Sequence, residues 1–222
     1  MMAVKQVLHV GCGAYAPGKL HAFFGANEWR EMRLDIDPDV LPDFIASMTD
    51  MKSVPDRSVD AVFSSHNLEH LYSHEVPIAL QEFRRVLKPN GFVLLTMPDL
   101  QEVARLIATG QLAEPAYESP MGPIAPLDIL FGHRPSLAQG NLFMAHHTGF
   151  TSRMLTSALA EAGFAMSTVQ RVPSSFSLWA IAFATLPTDQ RMREAQYQML
   201  PLHVALLAAG LLQGSGVLAE AT

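Results

Sequence analysis

Apolar positions change their period several times along the first hundred residues. Residues 4–10 (VKQVLHV) are mostly apolar and run into a Gly-Cys-Gly turn, which predicts a first strand. Residues 32–36 predict a second strand, closing on the acidic stretch LDIDPD, and residues 43–46 a short edge element. VDAVFSS (residues 59–65) and FVLLTM (residues 92–97) are almost continuously apolar. Continuous rather than alternating apolarity predicts strands covered on both faces, as in a parallel sheet between helices. Between these two, residues 73–87 carry apolar side chains at Val76, Ala79, Leu80, Phe83, Val86 and Leu87, a helical period. The following KPNG predicts a stop, because proline cannot continue a helix and Asn-Gly supplies a left-handed turn. A brief helix is expected over residues 19–24.

The pattern breaks over residues 98–148, which are rich in proline and glycine and contain ESPMGPIAP. A structureless run of this length is expected to be a lid or substrate loop. Periodicity returns in a helix over residues 151–162, capped by Thr151 or Ser152 and ended by Gly163. FAMSTVQRV and FSLWAIAFAT then predict two strands joined by PSS as an antiparallel hairpin, and residues 186–210 a C-terminal helix. Alternating strands and helices predict a doubly wound α/β sheet. The expected organisation is one domain over residues 1–185, with a lid insertion at about 98–150, and a helical extension over 186–222.

Composition narrows the partners. The formal net charge is −6, and Arg84, Arg85 and Lys88 form the only basic cluster, late in a predicted helix where cations favour the negative end of the dipole. No broad phosphate-binding face is expected, hence no nucleic-acid partner. Cys12 is the single cysteine, so an internal disulfide is excluded and a reducing, cytoplasmic setting is expected without a targeting segment. The most apolar tail, residues 200–212, is shorter than the roughly 20 residues that cross a bilayer, so no membrane is expected. A helix apolar on all sides needs burial on more than one of them, so residues 199–212 are expected to dock on the sheet or pair with a second copy as a homodimer.

The order VGCG, LDIDPD, SSHNLEHL and EFRRVLKPNGFVLLTMP, with a late helix-strand-strand finish, resembles the class I S-adenosylmethionine-dependent methyltransferases (methyltransferase type 11-like) over about residues 4–185. The resemblance implies a Rossmann-like, mostly parallel seven-stranded sheet whose last strand is antiparallel, S-adenosyl-L-methionine as cofactor, and methyl transfer as the activity. It assigns Gly11, Cys12 and Gly13 to the cofactor's amino-acid part, where glycine lets backbone approach a ligand closely. Asp35, with Asp37 as the rival, would accept from the ribose hydroxyls, and Ile36 would pack on the adenine. Ser47 or Met48 stands where the family often has an aspartate reading the adenine amino group. His9 stands where the family usually has an acid near the cofactor's ammonium; a neutral imidazole still accepts one hydrogen bond there. Ser65 and His66 follow the fourth strand, whose exit lies beside the reactive methyl in this fold. His66 is therefore a candidate general base, with Asp99 and His147 as further candidates near the acceptor. Glu69 and His70 read as caps or packing groups. His133, His146 and His147 lack metal-ligand spacing, so no metal is expected.

Three functions remain in view: methyl transfer to a small-molecule or sugar-like acceptor, cofactor binding without turnover, and nicotinamide-dependent oxidoreduction. The last is disfavoured because GCGAYAPG has Ala16 where G-x-G-x-x-G requires its third glycine.

Overall fold

The computed structural model describes residues 4–25 and 27–201. Five strands come first: β1 (Lys5–Val10), β2 (Trp29–Asp35), β3 (Phe44–Ile45), β4 (Val59–Ser65) and β5 (Leu87–Pro98). A small hairpin, β6 (Tyr117–Ser119) and β7 (Gly122–Ile124), stands apart, and β8 (Met166–Val172) and β9 (Ser177–Phe183) finish the set. The main sheet has the order β3-β2-β1-β4-β5-β9-β8. All of its pairings are parallel except those of β9, which is antiparallel to both β5 and β8. This is the seven-stranded, doubly wound sheet with an antiparallel last strand that the resemblance implied.

Strand periodicity builds a core on each face. Leu8 and Val10 of β1, Val62 of β4, and Val93 and Leu95 of β5 point to one side, against Ala79, Leu80 and Phe83 of α1 (Val76–Val86). Val7, Ala61, Phe63, Phe92 and Leu94 alternate to the other side and pack with Phe24. There they meet Ala195 and Met199 of a helix that ends the described chain (Asp189–Met199). Both faces being covered explains the unbroken apolar runs of β4 and β5.

Three expectations are corrected. KPNG forms no left-handed stop: Leu87 is already extended and pairs with Val59, so the four residues lie inside β5. Gly91 is needed there for space, since a β-carbon would stand 2.8 Å from Leu87 Cδ2 and 3.0 Å from the Lys88 carbonyl. The expected helix over 19–24 is instead a short 3-10 turn, Ala22–Gly25. Residues 98–148 are not structureless: they hold α2 (Leu100–Ala108), the β6-β7 hairpin, α3 (Pro126–Phe131) and α4 (Arg134–Ala138). Proline is in the first turn of α3 and of α4, where it starts a helix rather than breaking one. Val103, Ile124 and Ile129 give this segment a small core of its own.

The helix over residues 151–162 is found as α5 (Ser152–Glu161), capped by the Thr151 side chain. The terminal helix just described, α6, is capped by Thr188. Most of the apolar tail offered as a pairing surface, residues 202–212 of 199–212, lies outside the described residues. No helix among those described is long and apolar enough to cross a membrane.

Candidate active site

The carboxyl ends of β1, β2 and β4 open onto a cavity of about 780 Å³, within the range of about 300–1,000 Å³ typical of small-molecule sites. Its walls contain His9, Gly11, Cys12, Gly13, Asp35, Ile36, Ser47, Met48, Ser65, His66 and His147. Eleven of the twelve residues singled out from the sequence thus share one cleft; Asp99 does not.

The first wall is the turn after β1. Gly11 and Gly13 both have left-handed backbones (φ 67° and 58°). The approach that Gly11 permits is by protein: a β-carbon would lie 2.1 Å from Asn67 Oδ1. The Asn67 amide donates to the carbonyls of Val10 and Ser65, both at 3.0 Å, and so fastens this turn to the exit of β4. The Gly13 N–H donates to Asp35 Oδ2 (2.7 Å), and the Asp37 N–H to Asp35 Oδ1 (3.0 Å). Each Asp35 oxygen keeps a lone pair for a ligand. Asp37 also lines the cleft, but its carboxylate caps the 3-10 turn Pro38–Val40 by accepting from the Asp39 N–H. Ile36 is 51% exposed beside half-buried Met48, an apolar surface for a flat ring.

His9 is 4% exposed and stands 5.1 Å from the Phe63 ring. Its Nδ1 lies 2.7 Å from Glu31 Oε1. Burial pushes its pKa down, helped by Arg33 and Lys19 and opposed by Glu31. A neutral ring donating Nδ1–H to Glu31 leaves Nε2 as an acceptor. The Cys12 thiol is buried and in no disulfide, and burial pushes its pKa up. Ser47 and Ser65 are held by neighbouring hydroxyls, Thr49 at 2.8 Å and Thr96 at 2.6 Å.

At the far end, His66 leaves β4 with a left-handed backbone (φ 55°), a strained conformation for a residue with a side chain. Its Nδ1 is 3.2 Å from Oε1 of buried Glu69. Burial works against protonation of His66, but the hydrogen bond and charge of Glu69 outweigh it and raise the pKa. The His147 ring stacks on Tyr72 (4.3 Å between ring centres), and its backbone N–H donates to the Glu69 carbonyl.

Asp99 needs a correction. It is fully buried, accepts from the Gln101 N–H to cap α2, and pairs with Arg171 Nε at 2.6 Å. Arg171 also holds Glu102, so the aspartate ties α2 to β8 and does not line the cleft. Sequence reasoning missed Asn67 as a fastener, Lys19 beside Gly13, and the roof Leu142–Met144. Only Asn67 had a signal, its place in SSHN; the others enter the cleft through tertiary folding.

Residues 8–95 match the family model described as a methyltransferase domain. The citrinin polyketide synthase CMeT domain superposes with TM-score 0.52 at 13% identity, covering 82% of this chain and 47% of that one. A possible exported protein of Bordetella parapertussis superposes with TM-score 0.54 at 18% identity, covering 83% and 63%. A SAM-dependent methyltransferase of Archaeoglobus fulgidus gives TM-score 0.50 at 15% identity, covering 81% and 86%. The chain therefore spans less than two thirds of the first two of these. No curated protein matches it. The matched segment resembles a methyltransferase domain, and the strand order is that of the class I S-adenosylmethionine-dependent methyltransferase fold. S-adenosylmethionine is the cofactor of that class, and the cleft's glycine turn, strand-end carboxylate and exposed isoleucine suit its amino-acid, ribose and adenine parts.

Proposed function

We propose that this protein transfers a methyl group from S-adenosylmethionine to a small-molecule acceptor, which the roof over residues 141–147 covers. A single observation carries the reading: the Gly11–Gly13 turn and the Asp35 carboxylate are joined by one hydrogen bond at the floor of one cleft. The bound cofactor supplies a methyl group on a positively charged sulfur, a leaving group already activated, so the chain's own task is positioning. Gly11, Cys12 and Gly13 would carry the amino-acid part by backbone contact, and Nε2 of neutral His9 would accept from its ammonium in place of the family acid. Asp35 would hold the ribose. Ile36 and Met48 would sandwich the adenine edge, with Ser47 nearby. Ser65, His66 and His147 would face the acceptor, and His66 would take its proton if the nucleophile is a hydroxyl. The acidic net charge and a roofed cleft favour a small acceptor, sugar-like ones included, over nucleic acid. The one cysteine fits a cytoplasmic setting.

Calorimetry with S-adenosylhomocysteine tests the reading: one site per chain is expected, and absence of heat in folded protein overturns it. If binding is found but no label passes from methyl-labelled cofactor to a panel of hydroxyl, amine and thiol acceptors, the chain is a binding module instead.

A further inference from the structure

Behind the acceptor end of the cleft lies a cluster that no step above uses. Glu69 is 1% exposed, and its Oε2 is buried without a hydrogen-bond partner. Only Oε1 is engaged, by His66 at 3.2 Å. A buried carboxylate oxygen with no partner is costly, and native structures rarely keep one idle. Two histidines face it. His70 Nδ1 is 3.0 Å from the Ala145 carbonyl, and His146 Nδ1 is 2.8 Å from the Ile129 carbonyl. A carbonyl can only accept, so each Nδ1 carries the proton and each Nε2 keeps its lone pair. That outer support, ring N–H to backbone carbonyl, is how metal-ligating histidines are held. The two rings are 4.9 Å apart, and one ligand atom from each of Glu69, His70 and His146 lies within 4.8 Å of the others. Small rotations bring them to the roughly 3.4 Å spacing that a tetrahedral ion with bonds of about 2.1 Å demands.

We propose that Glu69, His70 and His146 bind a divalent first-row transition ion, zinc in the first instance, with an open coordination position facing the cleft. Two imidazoles and one carboxylate are the donor set of ions that keep such a position. His66 and His70 line the cleft, so the open side meets the acceptor end. His147, adjacent in sequence, stacks on Tyr72 and takes no part. The expectation of no metal considered His146 only with His133 and His147; the fold supplies Glu69 and His70 from 77 and 76 residues earlier. The role of the ion rests on the methyltransferase reading, although the site itself does not. An acceptor oxygen or sulfur bound at the open position would be held beside the donor and would give up its proton, to His66 for a hydroxyl, more readily.

Metal-stripped protein titrated with zinc against a chromophoric chelator should take up one ion per chain. Cobalt in place of zinc should give the intense visible d–d bands of a low-coordinate nitrogen-oxygen site. Glu69→Gln and His146→Gln should each weaken zinc by more than the roughly 10–100-fold that loss of a mere supporting residue costs. His74→Gln, at an exposed histidine outside the cluster, should leave binding unchanged. No uptake by the wild type, an octahedral cobalt spectrum, or equal loss in His74→Gln overturns the site. The wild-type spectrum decides even if a variant fails to fold. Calorimetry with S-adenosylhomocysteine on the metal-stripped protein separates the two readings. Retained binding without zinc uptake removes the metal alone, and zinc uptake without nucleoside binding removes the methyltransferase reading alone.

Discussion

The Asp35 carboxylate has two loads. It fixes the turn through Gly13 and, in the proposed complex, accepts from the ribose. Asparagine keeps the shape but turns one acceptor into a donor that faces the Gly13 N–H or the ligand. A hydrogen bond to a charged group is worth about 1.5–3 kcal/mol, so Asp35→Asn should weaken S-adenosylhomocysteine by about 10–100-fold in calorimetry. Unchanged affinity would take Asp35 out of the site and leave Asp37 as the ribose acid. In the proposed complex, His9 would depart from the family's pattern while still offering an acceptor to the cofactor's ammonium. The acid is displaced to Glu31 on the next strand, and the imidazole stands between it and the cleft.

Among the elements, α3 and α4 depend on a single ion pair. Asp128 is 5% exposed, accepts from the Ala125 N–H, and takes both Arg134 Nε (2.7 Å) and Nη2 (3.0 Å). These bonds hold its pKa at about 2, below the ordinary 3.8, chiefly through Arg134 and against a smaller cost of burial. A carboxyl depressed on folding stabilises above its unfolded pKa and loses that contribution as pH falls through the folded one. Amide exchange in α3 and α4 should therefore accelerate between about pH 4 and pH 2 ahead of the sheet. Asp128→Asn should show the faster exchange already at pH 7. Exchange that rises uniformly across the chain would refute this. The roof over the cleft follows the same segment: Gly132 pairs with Ala145, and its β-carbon would stand 1.9 Å from the Met144 carbonyl.

For the molecule as a whole, one sheet joins two cores. Phe83 is fully buried on the α1 face, while Trp29 and Trp179 both pack on the opposite face. Phe83→Ala should cost about 3–5 kcal/mol. Because the faces share strands, tryptophan fluorescence on the far side should lose its transition at the same lowered temperature as far-UV circular dichroism; two separate transitions would show independent cores. The strands of the main sheet, α1, α5 and the glycine turn were legible in the chain because hydrophobic periodicity and Gly, Pro and Thr punctuation act over a few residues. Eleven of the cleft residues were named as well, mostly through the family resemblance, whose motifs sit at strand ends that converge on one edge in this topology. Tertiary folding alone decided the rest. Leu87 became strand because Val59 was there to pair with it; α2 carries a helical period at Leu100, Val103, Leu106 and Ile107 that the proline-rich stretch after it masked, and α3 and α4 are too short to show one. Asp99 was drawn inward by Arg171 from 72 positions away. The meeting of Glu69 and His70 with His146 is likewise a matter of distance along the chain: local pattern reports which face a residue occupies, not which remote side chain arrives opposite it.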